Sequence, residues 1–390
     1  MGSVDGTADG PTVIDAGDTW VAMTADQAEG DLRLHALDAE TGEERWAQQL
    51  DNGLCAGTLL HGSLVCASSL DFDDDMNTGS RWLIQLVDPA SGDLVGSTET
   101  DAYIDAISVT RGKILLVEQR PATSGAVLTG LTAGLEPAFE LDLAGQEHAS
   151  EMLTPNGDPT RVNGPAGRGL GPVRVRAAGD QLTAVAIGNA AAFVDVSSGS
   201  LAGLRPCTLF VNEGTRLWCN EGSHAQAYDQ ALQPLVKTAS GVQLVSAQTD
   251  LRDAVTPALF AVGDELVAVD PRSGRSTGSF LHGTYATSFS PGARPHVSFT
   301  GGLTIISGTR WTVSVDASSG KVLWQNDSVL VDAVKVGHDL ALISGSLRIV
   351  TGAKGKQRAY YNALGEWGVQ GIGDNLAHTG LHQLARFELP

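Results

Sequence analysis

The chain has 390 residues, 42% of them hydrophobic and 18% charged, with 47 glycines and a formal net charge of −20. This composition excludes a disordered polymer, and the sign of the charge excludes the cationic footprint that nucleic acids and anionic membrane surfaces require. No apolar run approaches the roughly 18 residues of a membrane span. The opening "MGSVDGTADG" lacks the pattern of a signal peptide. Residues 1–10 read as a cloning scar and disordered linker, ahead of a fragment whose export signal or anchor is expected elsewhere.

In chain order, the first predicted pair of strands spans 34–46, "LHALDAETGEERW". An alternating strand containing Ala36 ends in Asp38, Gly42 closes a short turn, and a second strand carries Trp46. The Asp carboxylate suits such a turn because it accepts backbone N–H groups, and Gly because it takes φ > 0 cheaply. Next come Cys55 and Cys66 in "LCAGTLLHGSLVCAS". A hairpin folded at "HGS" faces the two sulfurs across strands whose opposed Cα atoms lie about 4.5–5.5 Å apart, within disulfide range. The segment 69–81 follows, in which Asp71, Asp73, Asp75 and Asn77 alternate like the ligands of a calcium loop. Met76 stands where such loops turn on Gly, and Trp82 where they close on Glu. Calcium and a solvated acidic loop are the two readings.

The hairpin motif returns at 84–96 with Asp88 and Gly92, and in weaker form at 127–139. A long insertion, 145–172, contains Arg168 and precedes Arg174 and Arg176, which form a small basic patch, solvated or functional. Further copies occupy 191–203 with Asp195 and Gly199, and 266–278 with Asp270 and Gly274. The copy at 312–324 carries Asp316, Gly320 and Trp324, with Ser314 in the Ala place. Weaker copies lie at 224–236 and 347–359. Between these, Cys207 and Cys219 in "PCTLFVNEGTRLWCN" nearly repeat the spacing of the first cysteine pair. Two disulfides are expected, and with them an oxidising compartment. His378 and His382 have H-x-x-x-H spacing, but across a strand and turn, with no adjoining Glu as in zinc proteases. "TGAKGKQR" (351–358) lacks the spacing of a phosphate loop.

Two further strands precede most copies, as "PHVSF" and "GLTIISG" precede 312–324. Four short strands per unit, some eight units and no convincing helix predict an all-β chain. The expected fold is a single eight-bladed β-propeller over 11–390, built of four-stranded antiparallel blades and closed by joining the chain termini. Leu384–Leu389 is the segment expected to close it. Seven or nine blades are the alternatives, and a solenoid is the competing architecture.

The Ala36, Asp38, Gly42, Trp46 spacing resembles the PQQ-like (quinoprotein-type) β-propeller repeat, and the copies cover nearly the whole chain. The resemblance implies that Trp packs between neighbouring blades with the small Ala beneath it. Gly96, Gly203 and Gly278 occupy the Trp place elsewhere, so docking there must be rebuilt by other residues. Quinone dehydrogenases of this family are much longer and carry adjacent cysteines with a calcium set of Glu, Asn and Asp. No Cys-Cys pair occurs here. The implied assignment is the BamB-like non-catalytic branch, with no catalytic residues, no PQQ, and calcium as the one possible cofactor.

In an antiparallel blade the A–B and C–D turns emerge at one end, and the B–C and D–A connections at the other. The long segments 69–81, 145–172 and 282–295 all belong to the second end, where a rigid scaffold presents its binding loops. The expected function is an exported, membrane-anchored, monomeric bacterial scaffold that binds protein through that face. The membrane enters only through the anchor. The alternatives are the ligand- or glycan-sensing ectodomain of a membrane receptor and, third, a quinone- or metal-dependent enzyme.

Overall fold

The computed structural model describes residues 13–25, 32–51, 53–71, 81–119, 126–149, 173–178, 181–207, 209–214, 216–244, 248–249, 258, 260–262, 265–269, 272–279, 296–300, 303–307, 312–316, 322–326, 332–336, 339–343, 347–351, 354–361, 368–372, 375–379 and 384–388. The chain divides into two compact units, one of residues 1–208 with 230–232, the other of 209–229 with 233–390.

The first unit is four antiparallel sheets in chain order. Sheet one consists of Val13–Asp15, Thr19–Ala25, Leu32–Asp38 and Glu44–Leu50, hydrogen-bonded in that order, and sheets two to four span 54–100, 103–142 and 173–206. The second strands are largely buried, wholly so in Leu64–Ser69 of sheet two and at all but Ala186 of Leu182–Ile187 in sheet four. The fourth strands alternate between exposed and half-buried, as in Leu94–Thr100 and Pro137–Asp142. The apolar cores lie between consecutive sheets. Trp82, Ile84 and Leu86 of sheet two pack with Ile104, Ile114, Leu116 and Leu131 of sheet three. Val117 and Leu128 of sheet three pack with Val185, Ala192 and Val194 of sheet four. A sheet of four short strands cannot bury its own faces, so within this unit each packs on the next in chain order.

The second unit continues with sheets five to nine, over 210–237, 242–279, 296–326 (with Gln248–Thr249 added), 332–361 and 368–388. Trp218 and Ala227 of sheet five pack with Phe260 and Val267 of sheet six, the Trp218 and Phe260 rings meeting edge to face at 4.9 Å. Leu384–Glu388 is the third strand of the ninth sheet, so the described residues carry one sheet more than the eight motif copies. Leu389 lies outside them.

The short A–B turns expected from the sequence hold except in sheet six. Its first strand, Val242–Leu244, is separated from Phe260–Val262 by a long connection, and Gln248–Thr249 within it pairs parallel with Ser298–Phe299 of sheet seven. The three insertions have their expected topological places. Segment 69–81 joins the second and third strands of sheet two, 145–172 joins sheet three to sheet four, and 282–295 joins sheet six to sheet seven.

All eight motif copies are hairpins between the third and fourth strands, and each has a register shift at the same point. It follows the pairs Ala36↔Trp46, Leu86↔Gly96, Gly130↔Phe139, Phe193↔Gly203, Ala227↔Val236, Ala268↔Gly278, Ser314↔Trp324 and Ile349↔Ala359. A bulge at this point re-aims the strand and sharpens its twist. The residue on the fourth strand is bulky in the odd-numbered sheets (Trp46, Phe139, Val236, Trp324) and Gly or Ala in the even-numbered ones.

The bulky residues dock on the turn glycine of the next copy. A β-carbon added at Gly92 would stand 2.9 Å from the Trp46 ring, at Gly199 2.4 Å from Phe139 Cβ, at Gly274 3.0 Å from Val236 Cγ2, and at Gly355 2.7 Å from the Trp324 ring. These glycines also have φ of +78°, +71°, +67° and +59°, so their place in the turn and their contact both forbid a side chain. Where the fourth strand offers Gly96 instead, the next turn supplies Leu135, whose Cδ1 is 3.7 Å from a β-carbon placed at Gly96. Leu135 holds φ at +64° and is buried. The docking that the missing Trp left open is thus rebuilt from the other side.

Candidate functional site

The described residues reach the loop-bearing end of the first unit most fully in sheets two and three. Ser69 ends the second strand of sheet two, Trp82 begins the third opposite it, and Thr100 ends the fourth opposite Trp82. The alternation that sends Ile84 and Leu86 into the core between sheets two and three sends Trp82 there too. Its ring meets Tyr103 of sheet three edge to face at 5.6 Å. Burial, and secondarily the Asp105 carboxylate, push the Tyr103 hydroxyl above its ordinary range, so it stays protonated.

Among the described residues two polar atoms in this row have no partner: Ser69 Oγ and Trp82 Nε1 are buried without a hydrogen bond. Each such group costs about 1–3 kcal/mol unless an acceptor reaches it. Beside it Glu118 is buried at 1% exposure; its carboxylate accepts from Thr129 Oγ1 at 2.9 Å and Thr100 Oγ1 at 3.4 Å. At the rim, Arg81 donates to Glu99 at 2.8 Å, and Glu99, Asp101 and Asp71 together raise its pKa, the Glu99 hydrogen bond most. Trp, Tyr and Arg are the side chains that carry most binding energy at protein interfaces.

Of the calcium-loop residues, Asp71 is described. Its Oδ1 accepts the Arg81 backbone N–H at 2.9 Å, closing the base of the loop. Asp73, Asp75 and Asn77 lie outside the described residues, as does Arg168. Among the described residues no three His, Cys, Asp or Glu side chains gather as a metal ion requires. Arg174 and Arg176 are in the first strand of sheet four, and Arg176 is half-buried. His378 lies in Asn375–Thr379, while His382 is not described. Sequence reasoning missed Glu118, Ser69 and Tyr103; the only sign of Glu118 was a carboxylate in an otherwise apolar strand, "KILLVEQ".

The motif residues act as turn formers. Asp38 accepts from Glu40 N, Thr41 N and Arg45 Nη2 at 2.9, 2.8 and 2.6 Å, Asp88 from Ala90 N at 2.7 Å, and Asp195 from Ser197 N at 2.9 Å. Gly42, Gly92 and Gly199 donate back to the carbonyls of Asp38, Asp88 and Asp195. Trp46 donates its Nε1 hydrogen to Pro89 O of the next copy at 2.9 Å, with Ala36 opposite it in the sheet. Asp316 and Trp324 are placed in their hairpin strands, whereas Asp270 and Gly320 are outside the described residues. Cys55 and Cys66 face one another and are bonded, with Cα atoms 4.1 Å apart. Cys207 and Cys219 are disulfide-bonded too, leaving no free cysteine.

No family model matches the chain, and no curated protein does. Solved structures do. Similar to it are BamB from Moraxella catarrhalis (11% identity, 96% of this chain and 94% of that one, TM-score 0.51) and Sqt1 from Saccharomyces cerevisiae (8%, 90% and 95%, TM-score 0.46). A third is the dihydro-heme d1 dehydrogenase NirN in complex with DHE (12%, 91% and 77%, TM-score 0.38). The likeness to BamB, with the absence of α-helix among the described residues and the run of four-stranded antiparallel sheets, shows an all-β fold of the β-propeller class.

Proposed function

We propose that this chain is a non-catalytic protein-binding scaffold on the outer side of a membrane, of the PQQ-like repeat type and BamB-like in role. In this reading it is one propeller over 11–390, closed by its termini, and held at the membrane by an anchor beyond the sequence given. The fold shared with BamB supports the architecture, and the two disulfides support an oxidising compartment. The observation that carries the binding role is the row of Ser69, Trp82, Tyr103 and Arg81 at the loop-bearing end, two of whose donors lack an acceptor among the described residues. No step of this reading needs a cofactor.

The partner docks where 69–81, 145–172 and 282–295 emerge. The test is capture from a cell-envelope extract with three baits: the wild type, a variant with 150–170 replaced by a short Gly-Ser linker, and Arg81→Glu. One specific partner retained by the wild type and lost by both variants is the expected result; equal capture by all three would refute the assignment of this face. The second reading, a ligand- or glycan-sensing ectodomain, draws on the same aromatic pair, since an aromatic ring beside open donors also suits a sugar. A glycan array answered by the wild type and not by Tyr103→Ala would favour it.

A further inference from the structure

We propose that the outer edge of sheet two, Leu94–Thr100, is a docking strand for an extended cationic segment of another protein, which joins the sheet as its fifth strand. The strand runs up to the loop-bearing end, where Glu99 and Thr100 adjoin the row described above. Among the described residues the strand pairs with Trp82–Val87 alone, so its other side is an open row of backbone donors and acceptors. Open edges are normally guarded by charge or proline. Sheet one guards its outer strand with Glu44 and Arg45, sheet three with Pro137 and Glu140, sheet four with Arg205 and Pro206, and sheet five with Pro234 and Lys237, while Ser276–Ser279 and Val322–Asn326 of sheets six and seven carry neither charge nor proline but follow Arg275 and Lys321. Leu94–Thr100 reads LVGSTET: its one charge, Glu99, is bound to Arg81 at 2.8 Å, and it has neither lysine nor proline. It also shows the largest exposed apolar pair described, Leu94 at 57% and Val95 at 60%.

Charge chooses the occupant. Asp93 precedes the strand, Asp101 follows it and Glu99 lies within it, against the single guanidinium of Arg81. A second copy would bring the same carboxylates and another net charge of −20 to the joint, so self-pairing is disfavoured. A cationic strand is matched instead. Val95 and Glu99 stand on one face of the sheet, four residues apart, so the incoming segment should carry an apolar residue and a Lys or Arg at that spacing. Backbone pairing supplies affinity and those two side chains the selection.

The probe is the peptide Lys-Thr-Val-Thr-Ser-Thr-Lys, with a control in which Glu replaces both lysines. Fluorescence anisotropy with the intact chain should show saturable binding of the Lys peptide, weakened about tenfold or more by Val95→Lys. Raising salt from roughly 20 to roughly 200 mM should weaken it as well. Val95 is exposed, so the variant should keep the wild-type melting temperature, and peptide-induced protection from hydrogen exchange should fall on 94–100. The proposal is overturned by no binding at millimolar peptide, by equal affinity for Val95→Lys or for the Glu peptide, or by protection elsewhere. A concentration-dependent dimer dissolved by Val95→Lys would equally overturn it, by making the occupant a second copy.

Discussion

Asp38 shows what one motif residue does. Its carboxylate is held well below the usual range, first by the Arg45 guanidinium and then by the Thr41 backbone N–H. Asp195 is lowered in the same way, by the hydroxyl and backbone N–H of Ser198. A carboxyl whose folded pKa is depressed stabilises the fold above its unfolded value of about 3.9 and loses that contribution as the pH falls through the folded value. Asp38→Asn should therefore melt below the wild type at about pH 7, and the gap should narrow towards about pH 3. Thermal melts across that range check it, and a gap independent of pH would assign the loss to geometry instead of charge. Cys55 and Cys66 close a short loop, and replacing both by Ser should cost about 3 kcal/mol in urea unfolding. The turn-forming Asp and Gly and the cysteine pairs were legible in the sequence because their chemistry is local. Glu118 and the orphaned Trp82 were not: their burial depends on what the neighbouring sheet brings. Leu135 was hidden for another reason, since nothing in a leucine announces a left-handed backbone.

At the scale of hairpins, period-two alternation and the Asp-to-Gly spacing were enough to place the eight third-to-fourth-strand pairs. The weaker copies at 127–139 and 224–236 have turns one residue shorter, with Thr132 and Asp229 accepting the turn N–H groups and Leu135 and Leu232 at φ of +64° and +58°. Substitution can test the fit of one hairpin to the next. Leu135→Gly relieves the backbone but empties a contact, and should cost about 2–4 kcal/mol. Gly96→Phe alone should also destabilise, because the new ring meets Leu135. The double variant reproduces the Phe139–Gly199 arrangement and should recover part of both losses, with a coupling of about 0.5–3 kcal/mol in denaturant unfolding. Strict additivity would show that the two sites do not meet. The connection 245–259 escaped the reading because its polar sequence carries no motif, and its pairing with sheet seven joins segments far apart in the chain.

For the molecule as a whole, no local signal in the sequence speaks to closure, because a closed ring would depend on every preceding sheet and on no single motif. Composition bears on its colloidal behaviour. With a net charge of −20 the compact chain repels itself. Screening by added salt should raise its melting temperature between about 10 and about 150 mM, where the Debye length shrinks from about 30 to about 8 Å. A flat or falling salt profile would mean that local ion pairs such as Arg81–Glu99 outweigh the global repulsion.

The alternation of bulk and vacancy along the fourth strands has a consequence for how such a chain can grow or shrink. Copying the sheet of Phe139 alone in tandem would set that ring against Leu135, the turn residue of its own copy. Copying it together with the sheet of Gly199 keeps the ring on its glycine, so a change of length by two is the step that preserves this fit.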